Sequence, residues 1–245
     1  MTGNVPIERA DGQPFETRNR VMLCHSYYIS RERLLVIEFG LAARVARKVV
    51  AAHYGDCFTD AIAVEARQAY ESLILQLPYI GGRENPLTQI MVAAAMFLAL
   101  YKPLKAHGKA VEEIGALVYE AVERAYDLFP RSLLRLYGGL SFTERSLRKA
   151  RERALESQKR RYAGDWVYSV VEGDGEEFDY GLDFEECGIC KFFQAQGAEE
   201  FAPYMCRLDF IASDRLGWGL VRTKTIAEGA EKCDFRYKIR AWHTL

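Results

Sequence analysis

The stretch GDWVYSVVEGDGEEFDYGLDFEE, residues 164–186, changes the pattern of the chain from helical to extended. Trp166, Tyr168 and Val170 alternate with Val167, Ser169 and Val171. Residues 178–184 alternate aromatic or aliphatic side chains with glycine and acids. Between them, residues 172–175 read Glu-Gly-Asp-Gly, which is typical of a turn. A period of two in both runs predicts two strands joined as a hairpin, half-buried on one face.

Downstream of this hairpin, the sequence predicts two short helices and two more strands. The helices span residues 187–196 and 204–215, and the strands span residues 220–227 and 233–240. The order ββααββ predicts a four-stranded antiparallel sheet with helices over one face. The fold class expected for the whole chain is therefore α+β, with a helical N-terminal region packed against this C-terminal sheet.

Upstream of the hairpin, apolar residues recur at helical spacing. We expect a loose arm over residues 1–29, a helical region over 30–161 and a cysteine-bearing α+β region over 162–245. Five helices are predicted in the middle region: 30–54, 56–77, one opened by Asn85 and Pro86, 110–128, and 141–161, where Ser141 and Glu144 fit a capping box.

Composition excludes several classes of protein. The 245 residues carry a net charge of −1, which gives no global field for nucleic acid or anionic lipid. The longest apolar run, residues 90–101, is shorter than the roughly 20 residues of a membrane span, so we expect a buried helix. Residues 144–161 are basic and residues 172–186 are acidic, and these runs are expected to face each other. Without a secretory signal, the six cysteines are expected to be reduced in a cytoplasmic protein.

Four cysteines fall in the last 59 residues: Cys187, Cys190, Cys206 and Cys233. Three interpretations compete. A Cys-x-x-Cys pair with two more thiols could hold zinc. A thiolate could serve as a nucleophile, and Cys206 lies near a helix start with Asp209 one turn on. Free cysteines are also common as small buried apolar residues, which suits Cys233 best.

Four segments of this region form a distinctive pattern. They are ECGICKFF at 186–193, PYMCRLDF at 203–210, RTKTIAEG at 222–229 and KCDFR at 232–236. The pattern resembles the L-2-amino-thiazoline-4-carboxylic acid hydrolase family. The predicted order of strands and helices also resembles the small-molecule-binding domains of the vinyl-reductase type.

The resemblance implies hydrolysis of a small cyclic substrate to a carbamoyl-cysteine, without a cofactor. Cys206 would be the nucleophile, Asp209 the proton handler and Arg222 the group that binds the substrate carboxylate. Strand alternation places Thr223 and Thr225 opposite Arg222. The other residues expected around the substrate are Cys187, Cys190, Thr223, Thr225, Cys233 and Asp234.

Two other functions are compatible with the sequence. The chain could be a non-catalytic vinyl-reductase-like domain that binds a small molecule, or zinc through its clustered cysteines. It could also be a scaffold that forms a homodimer through its helices. In none of these functions do we expect nucleic acid or a membrane as a partner.

Overall fold

The computed structural model describes residues 25–238, so most of the predicted N-terminal arm and residues 239–240 of the last predicted strand lie outside the described residues. The helices are α1 (Ser26–Ile29), α2 (Glu32–Tyr54), α3 (Asp56–Ile74), α4 (Leu87–Ala106), α5 (Val111–Tyr126), α6 (Arg131–Leu140), α7 (Glu144–Ser157), α8 (Gly188–Ala195) and α9 (Ala202–Leu216). The strands are β1 (Val167–Glu172), β2 (Tyr180–Glu186), β3 (Leu220–Val221) and β4 (Cys233–Tyr237). The fold is α+β.

Helix α4 is the central element of the helical region. As predicted, Asn85 opens it, because its Oδ1 accepts from the backbone N–H of Leu87 at 3.0 Å. The helix is apolar on nearly every side, and Met91, Leu98 and Leu104 are fully buried. Among the described helices, α4 alone has the length and hydropathy to cross a membrane. Its packing against α3 and α5 makes it a core helix.

The helix predicted over residues 141–161 is wrong at its start. Residues 131–157 form two helices, α6 and α7, and Ser141 lies between them. Ser141 ends α6, and Thr143 caps α7 by accepting from the backbone N–H of Ser146 at 3.3 Å. The predicted capping box of Ser141 and Glu144 is therefore also wrong. Sequence reasoning missed α6 because it used Pro130 only as the end of the preceding helix and assigned no element to residues 131–140. Pro130 instead precedes the first turn, where its missing N–H has no cost.

The sheet is antiparallel throughout, with the spatial order β1-β2-β4-β3. Along the chain, β1 and β2 precede α8 and α9, and β3 and β4 follow. The register places Phe184 of β2 opposite both Tyr168 of β1 and Cys233 of β4. Phe184 also touches the Phe235 ring, with centroids 5.2 Å apart. Aromatic side chains therefore hold the three neighbouring strands on one face.

The third strand is much shorter than the predicted residues 220–227. It ends at Val221, and Ile226–Glu228 form a single 3-10 turn. The backbone N–H groups of Thr223 and Lys224 donate to the Asp234 carboxylate at 2.9 and 2.7 Å instead of to a strand partner. A side-chain carboxylate has thus replaced the backbone acceptors of a neighbouring strand. A period-two sequence pattern cannot reveal this replacement.

The basic and acidic runs do face each other. Arg151 of α7 donates twice to the Glu172 carboxylate, at 2.8 and 2.9 Å, and Arg160 forms ion pairs with Glu185 and Glu186. These contacts agree with the self-neutralising arrangement predicted from the sequence. The absence of a nucleic-acid partner stays a prediction.

A single apolar core runs from the helices into the cysteine-bearing region. The Tyr101 ring of α4 stacks on Phe201, with centroids 4.6 Å apart, and its hydroxyl donates to Glu200 at 2.6 Å. The predicted division of the chain near residue 161 therefore crosses continuous packing, and it stays a prediction.

Helix α6 approaches α9 so closely that Gly138 has no room for a side chain. A Cβ at Gly138 would lie 2.1 Å from the carbonyl oxygen of Leu216, whereas a Cβ at Gly40 of α2 would meet nothing within 4 Å. We expect Gly138→Ala to lower the free energy of unfolding by about 1–3 kcal/mol through overpacking. Gly40→Ala should raise it by about 0.5–1 kcal/mol through helix propensity. Urea unfolding tests both variants, and equal stabilities would refute the close approach.

Candidate functional site

Four elements bring the clustered cysteines into one region. Cys187 follows β2 directly and is the extended N-cap residue of α8, while Cys190 lies one turn inside that helix. Cys206 lies on α9, and Cys233 begins β4. Electrostatic interactions connect all four thiols, since Cys190 interacts with Cys187, Cys206 and Cys233. The sequence prediction of a cysteine cluster therefore has a counterpart in the fold.

Among the four clustered cysteines, Cys187 ionises most readily. The hydrogen bond from the Cys190 thiol lowers its pKa most, and burial opposes this effect. The backbone N–H groups of Cys190 and Ile189 and the Trp166 side chain also donate to it, so the pKa of Cys187 falls to about 7. The same interaction raises the pKa of Cys190 far above its ordinary value. One thiolate stabilised by a neutral neighbour is the arrangement of an activated nucleophile.

The other two thiols are held in the neutral form. Burial raises the pKa of Cys206 well above its ordinary range, and the nearby Arg222 only partly offsets this. Burial also raises the pKa of Cys233 to about 11, although the backbone N–H of Ile226 donates to its Sγ at 3.2 Å. Cys206 and Cys233 thus contribute apolar volume around the thiolate.

The zinc interpretation finds no support in residues 25–238. No group of three or more histidine, cysteine, aspartate or glutamate side chains in this range lies where it could hold a metal ion. A structural zinc site needs four converging ligands.

Arg222 lies at the centre of the polar contacts near the cysteines. Its side chain is only 3% exposed. Nη1 donates to Asp209 Oδ2 at 2.6 Å and Nη2 to the carbonyl oxygen of Cys206 at 2.7 Å, while the guanidinium carbon lies 5.0 and 4.7 Å from the ring centres of Phe210 and Phe235. Both terminal nitrogens are already engaged by the protein, so a substrate carboxylate would have to share them.

Asp209 balances this buried charge. Burial raises the pKa of Asp209, and the charge and hydrogen bond of Arg222 oppose the rise. The side chain is 43% exposed and its partner is a permanent cation, so we expect an ionised carboxylate at neutral pH. Because it forms a salt bridge with Arg222, Asp209 serves mainly as the counter-ion of that guanidinium. Its predicted role in proton transfer stays a prediction.

A family model matches the part of the chain that contains these residues. The model described as L-2-amino-thiazoline-4-carboxylic acid hydrolase matches residues 89–237, more than half of the chain. The chain belongs to the L-2-amino-thiazoline-4-carboxylic acid hydrolase family. Searches of curated proteins and of solved structures found no match. The resemblance inferred from the four cysteine-bearing segments is therefore confirmed.

The match within this hydrolase family extends well beyond the segments that revealed it. It begins in α4 and ends with β4, so it includes α5, α6 and α7 as well as the sheet. The family match thus covers the thiol region and part of the core, but not α2 and α3.

The remaining predicted site residues form a clasp between the β3–β4 segment and β4. Thr223 Oγ1 donates to Asp234 Oδ2 at 2.6 Å, and Thr225 Oγ1 donates to Glu228 Oε2 at 2.8 Å. Thr225 also caps the turn by accepting from the backbone N–H of Glu228 at 3.2 Å. Each of these polar groups has a protein partner, and their contacts shape the segment that carries Arg222. Substrate contacts by Thr223, Thr225 and Asp234 stay predictions.

Sequence reasoning missed two side chains beside the thiolate. Trp166 donates to Cys187 and packs on Gly188, where an added Cβ would lie 2.7 Å from the indole ring. Lys191 donates to the carbonyl oxygen of Asp165 at 2.8 Å, pairs with Glu186 and interacts electrostatically with Cys187. Burial lowers the pKa of Lys191. Lys191 directly follows Cys190 in the sequence, and this position could have indicated a cation near the thiols.

The ionisation of Cys187 predicts a selective, pH-dependent alkylation. In a Cys24→Ser/Cys57→Ser background, iodoacetamide should modify Cys187 first, with a rate that rises around pH 7 as the thiolate forms. Cys190→Ala should move this midpoint upward, because the largest stabilising contact is lost. Mass spectrometry between pH 5 and 9 locates and times the modification. Faster modification of Cys206 than of Cys187 would contradict the assignment.

The environment of Arg222 predicts a large effect on stability. Arg222→Met leaves Asp209 and a carbonyl oxygen without their partner, and should lower the free energy of unfolding by about 2–4 kcal/mol. Arg67→Met is the matched control, because Arg67 pairs with Glu71 on an exposed surface of α3. Its effect should stay within about 0.5 kcal/mol. Similar losses for the two variants in urea unfolding would show that Arg222 is not a buried clamp.

Proposed function

We propose that the protein is a hydrolase that opens a small cyclic C–N/C–S substrate of the 2-amino-thiazoline-4-carboxylate type. The observation that carries the proposal is the position of Cys187 at the N-cap of α8 beside Cys190, where hydrogen bonds lower its pKa to about 7. Membership of the hydrolase family supports hydrolysis as the reaction type. The substrate and product are our proposal.

The chemistry requires attack at the ring carbon that is bonded to sulfur and two nitrogens. The Cys187 thiolate adds to this carbon, and the ring C–S bond breaks as the substrate sulfur leaves and takes up a proton. This gives an open chain attached to the enzyme through an S–C bond. Water then attacks the same carbon, the enzyme thiolate leaves, and a carbamoyl-cysteine is released. The sum is substrate plus one water, without an oxidant or a cofactor.

Cys187 suits the nucleophilic step better than Cys206. The thiolate is the reactive form, and burial keeps Cys206 protonated at neutral pH. Three N–H groups and one thiol support the charge on Cys187 instead. In this mechanism, Cys206 and Cys233 exclude water from the intermediate. The nucleophilic role of Cys206 predicted from the sequence becomes the competing hypothesis.

Binding of the substrate carboxylate is proposed for two cations. Lys191 interacts electrostatically with Cys187 and its side chain is 31% exposed, so a substrate carboxylate could take the place of Glu186 on its ammonium group. Arg222 could share its guanidinium only by loosening the Asp209 contact. The family resemblance favours Arg222, and the greater exposure of the side chain favours Lys191, so the two cations are alternatives.

Several predictions remain without a test. They are a small molecule as the partner, a cytoplasmic location, homodimerisation through the helices and a vinyl-reductase-like binding fold. The proposal requires the first of these, and it agrees with the other three without depending on them.

The direct test is a ring-opening assay on 2-amino-thiazoline-4-carboxylate. Release of the carbamoyl-cysteine is followed by mass spectrometry, and the new thiol by a thiol reagent. We expect turnover by the wild type and a fall in kcat of about 10³-fold or more for Cys187→Ser. Cys206→Ala should stay within about tenfold, because it only alters packing. Cys57→Ser, which changes an exposed thiol, is the control.

The opposite pattern would reassign the chemistry. Full loss in Cys206→Ala with activity retained in Cys187→Ser would make Cys206 the nucleophile, as the sequence predicted. Asp209→Asn and Lys191→Met extend the series, since loss of kcat indicates proton transfer and a rise in KM indicates carboxylate binding. An inactive wild type that contains about one zinc per chain would favour the metal-binding alternative.

A further inference from the structure

A concave site lies among the N-terminal helices, and none of its lining residues belongs to the cysteine cluster. It is a cleft of about 310 Å³ between α2, α3, α4 and α5. Ligand pockets begin at about 300 Å³. A dry apolar cavity of about 150 Å³ is enough to bind benzene, so this cleft could take a ligand roughly twice that size.

Small residues keep the cleft open. Eight of its nineteen lining residues are alanine, and each helix supplies at least one, among them Ala46, Ala63, Ala93 and Ala125. These four are half-buried. Protein interiors are normally packed without voids much larger than a water molecule. Alanine where four helices could interdigitate larger side chains therefore leaves space for something other than the chain itself.

The walls of the cleft offer nothing to water. The described lining residues are aliphatic, aromatic or methionine except Thr59 and Arg47. The Thr59 hydroxyl is already used, because it donates to the carbonyl oxygen of Gly55 at 2.7 Å. Water needs two to four polar partners to stay in a cavity. The interior of the cleft thus favours a hydrocarbon or aromatic group.

Arg47 gives the cleft one charged edge. Its side chain is 54% exposed and pairs with Asp60, which is 59% exposed. An ion pair this exposed contributes little to stability, so another anion can take the place of Asp60 at small cost. The guanidinium presents a planar set of donors that fits a carboxylate. An apolar interior beside one exchangeable cation matches a molecule with an apolar tail and an anionic head.

We propose that this cleft binds a free amphiphile with one hydrocarbon tail of about ten carbons and a single carboxylate. The tail lies between the alanines of the four helices, and the head contacts Arg47. The site is independent of the proposed hydrolysis, because a thiazoline carboxylate is too polar for an apolar interior. Two of its walls, α2 and α3, precede residue 89, where the family match begins.

The binding of decanoate to the full-length protein, measured by isothermal titration calorimetry, tests the proposal, with decan-1-ol as the uncharged comparison. Ala63→Leu/Ala93→Leu fills the cleft from two sides and should weaken decanoate binding by about tenfold or more. The melting temperature should be unchanged or raised, because leucine fills empty space in the cleft and is itself a good helix former. Ala61→Leu, on an exposed position of α3, is the matched control and should bind like the wild type.

Charge variants test the head group separately, and they remain informative if the filled variant does not fold. Arg47→Gln should weaken decanoate binding by about threefold to tenfold, and Asp60→Asn should strengthen it by removing the competing carboxylate. Binding of decan-1-ol should change with neither. Equal effects on acid and alcohol would overturn the carboxylate contact.

Three results would overturn the site itself. They are no decanoate binding by the wild type, unchanged binding by a folded Ala63→Leu/Ala93→Leu protein, and loss of binding in Ala61→Leu. Cosedimentation with phosphatidylglycerol vesicles distinguishes a free amphiphile from a lipid bilayer. Binding to vesicles without binding to decanoate would show a membrane surface as the partner and refute the proposal.

Discussion

The buried guanidinium of Arg222 is the contact on which the cysteine-bearing region depends. A cation that is 3% exposed must have its charge and its donors satisfied inside the protein. Asp209 and the Cys206 carbonyl oxygen supply this from α9, and the Phe235 ring supplies a face from β4. The Arg222 side chain therefore sets the distance between α9 and β4. The distance between Cys206 on α9 and Cys233 on β4 depends on the same contacts.

The same burial divides the four thiols into two kinds. Low polarity opposes ionisation of every cysteine, so a thiolate forms only where donors converge. That condition is met at the start of α8, where the N-cap position exposes backbone N–H groups and Cys190 adds its own proton. Cys206 and Cys233 lack such donors in sufficient number and remain neutral. Charge is thus concentrated on one sulfur by geometry that the other three lack.

The sequence predicted the parts of the fold that depend on periodicity. The hairpin, the central apolar helix and the helices that contain Cys190 and Cys206 all appear near their expected positions. It failed where a local polar contact replaced a regular one, as at Thr223 and Asp234, or where a glycine served close packing, as at Gly138. The pattern of cysteines located the thiol cluster. It could not rank them, because the donors to Cys187 come from residues brought together by folding, above all Trp166.

The order of the strands has a consequence for how the site assembles. Strands β1 and β2 are neighbours in sequence and can pair early, but β4 reaches its place between β2 and β3 only after α8 and α9 have been crossed. Contacts between distant parts of a chain form slowly, because loop closure opposes them. Cys233 and Phe235 lie on β4. Asp234, which binds the segment that carries Arg222, lies on β4 as well. Docking of β4 is therefore the step that completes the thiol environment, and the rate at which the thiols become protected from reagent during refolding should equal the rate of that docking.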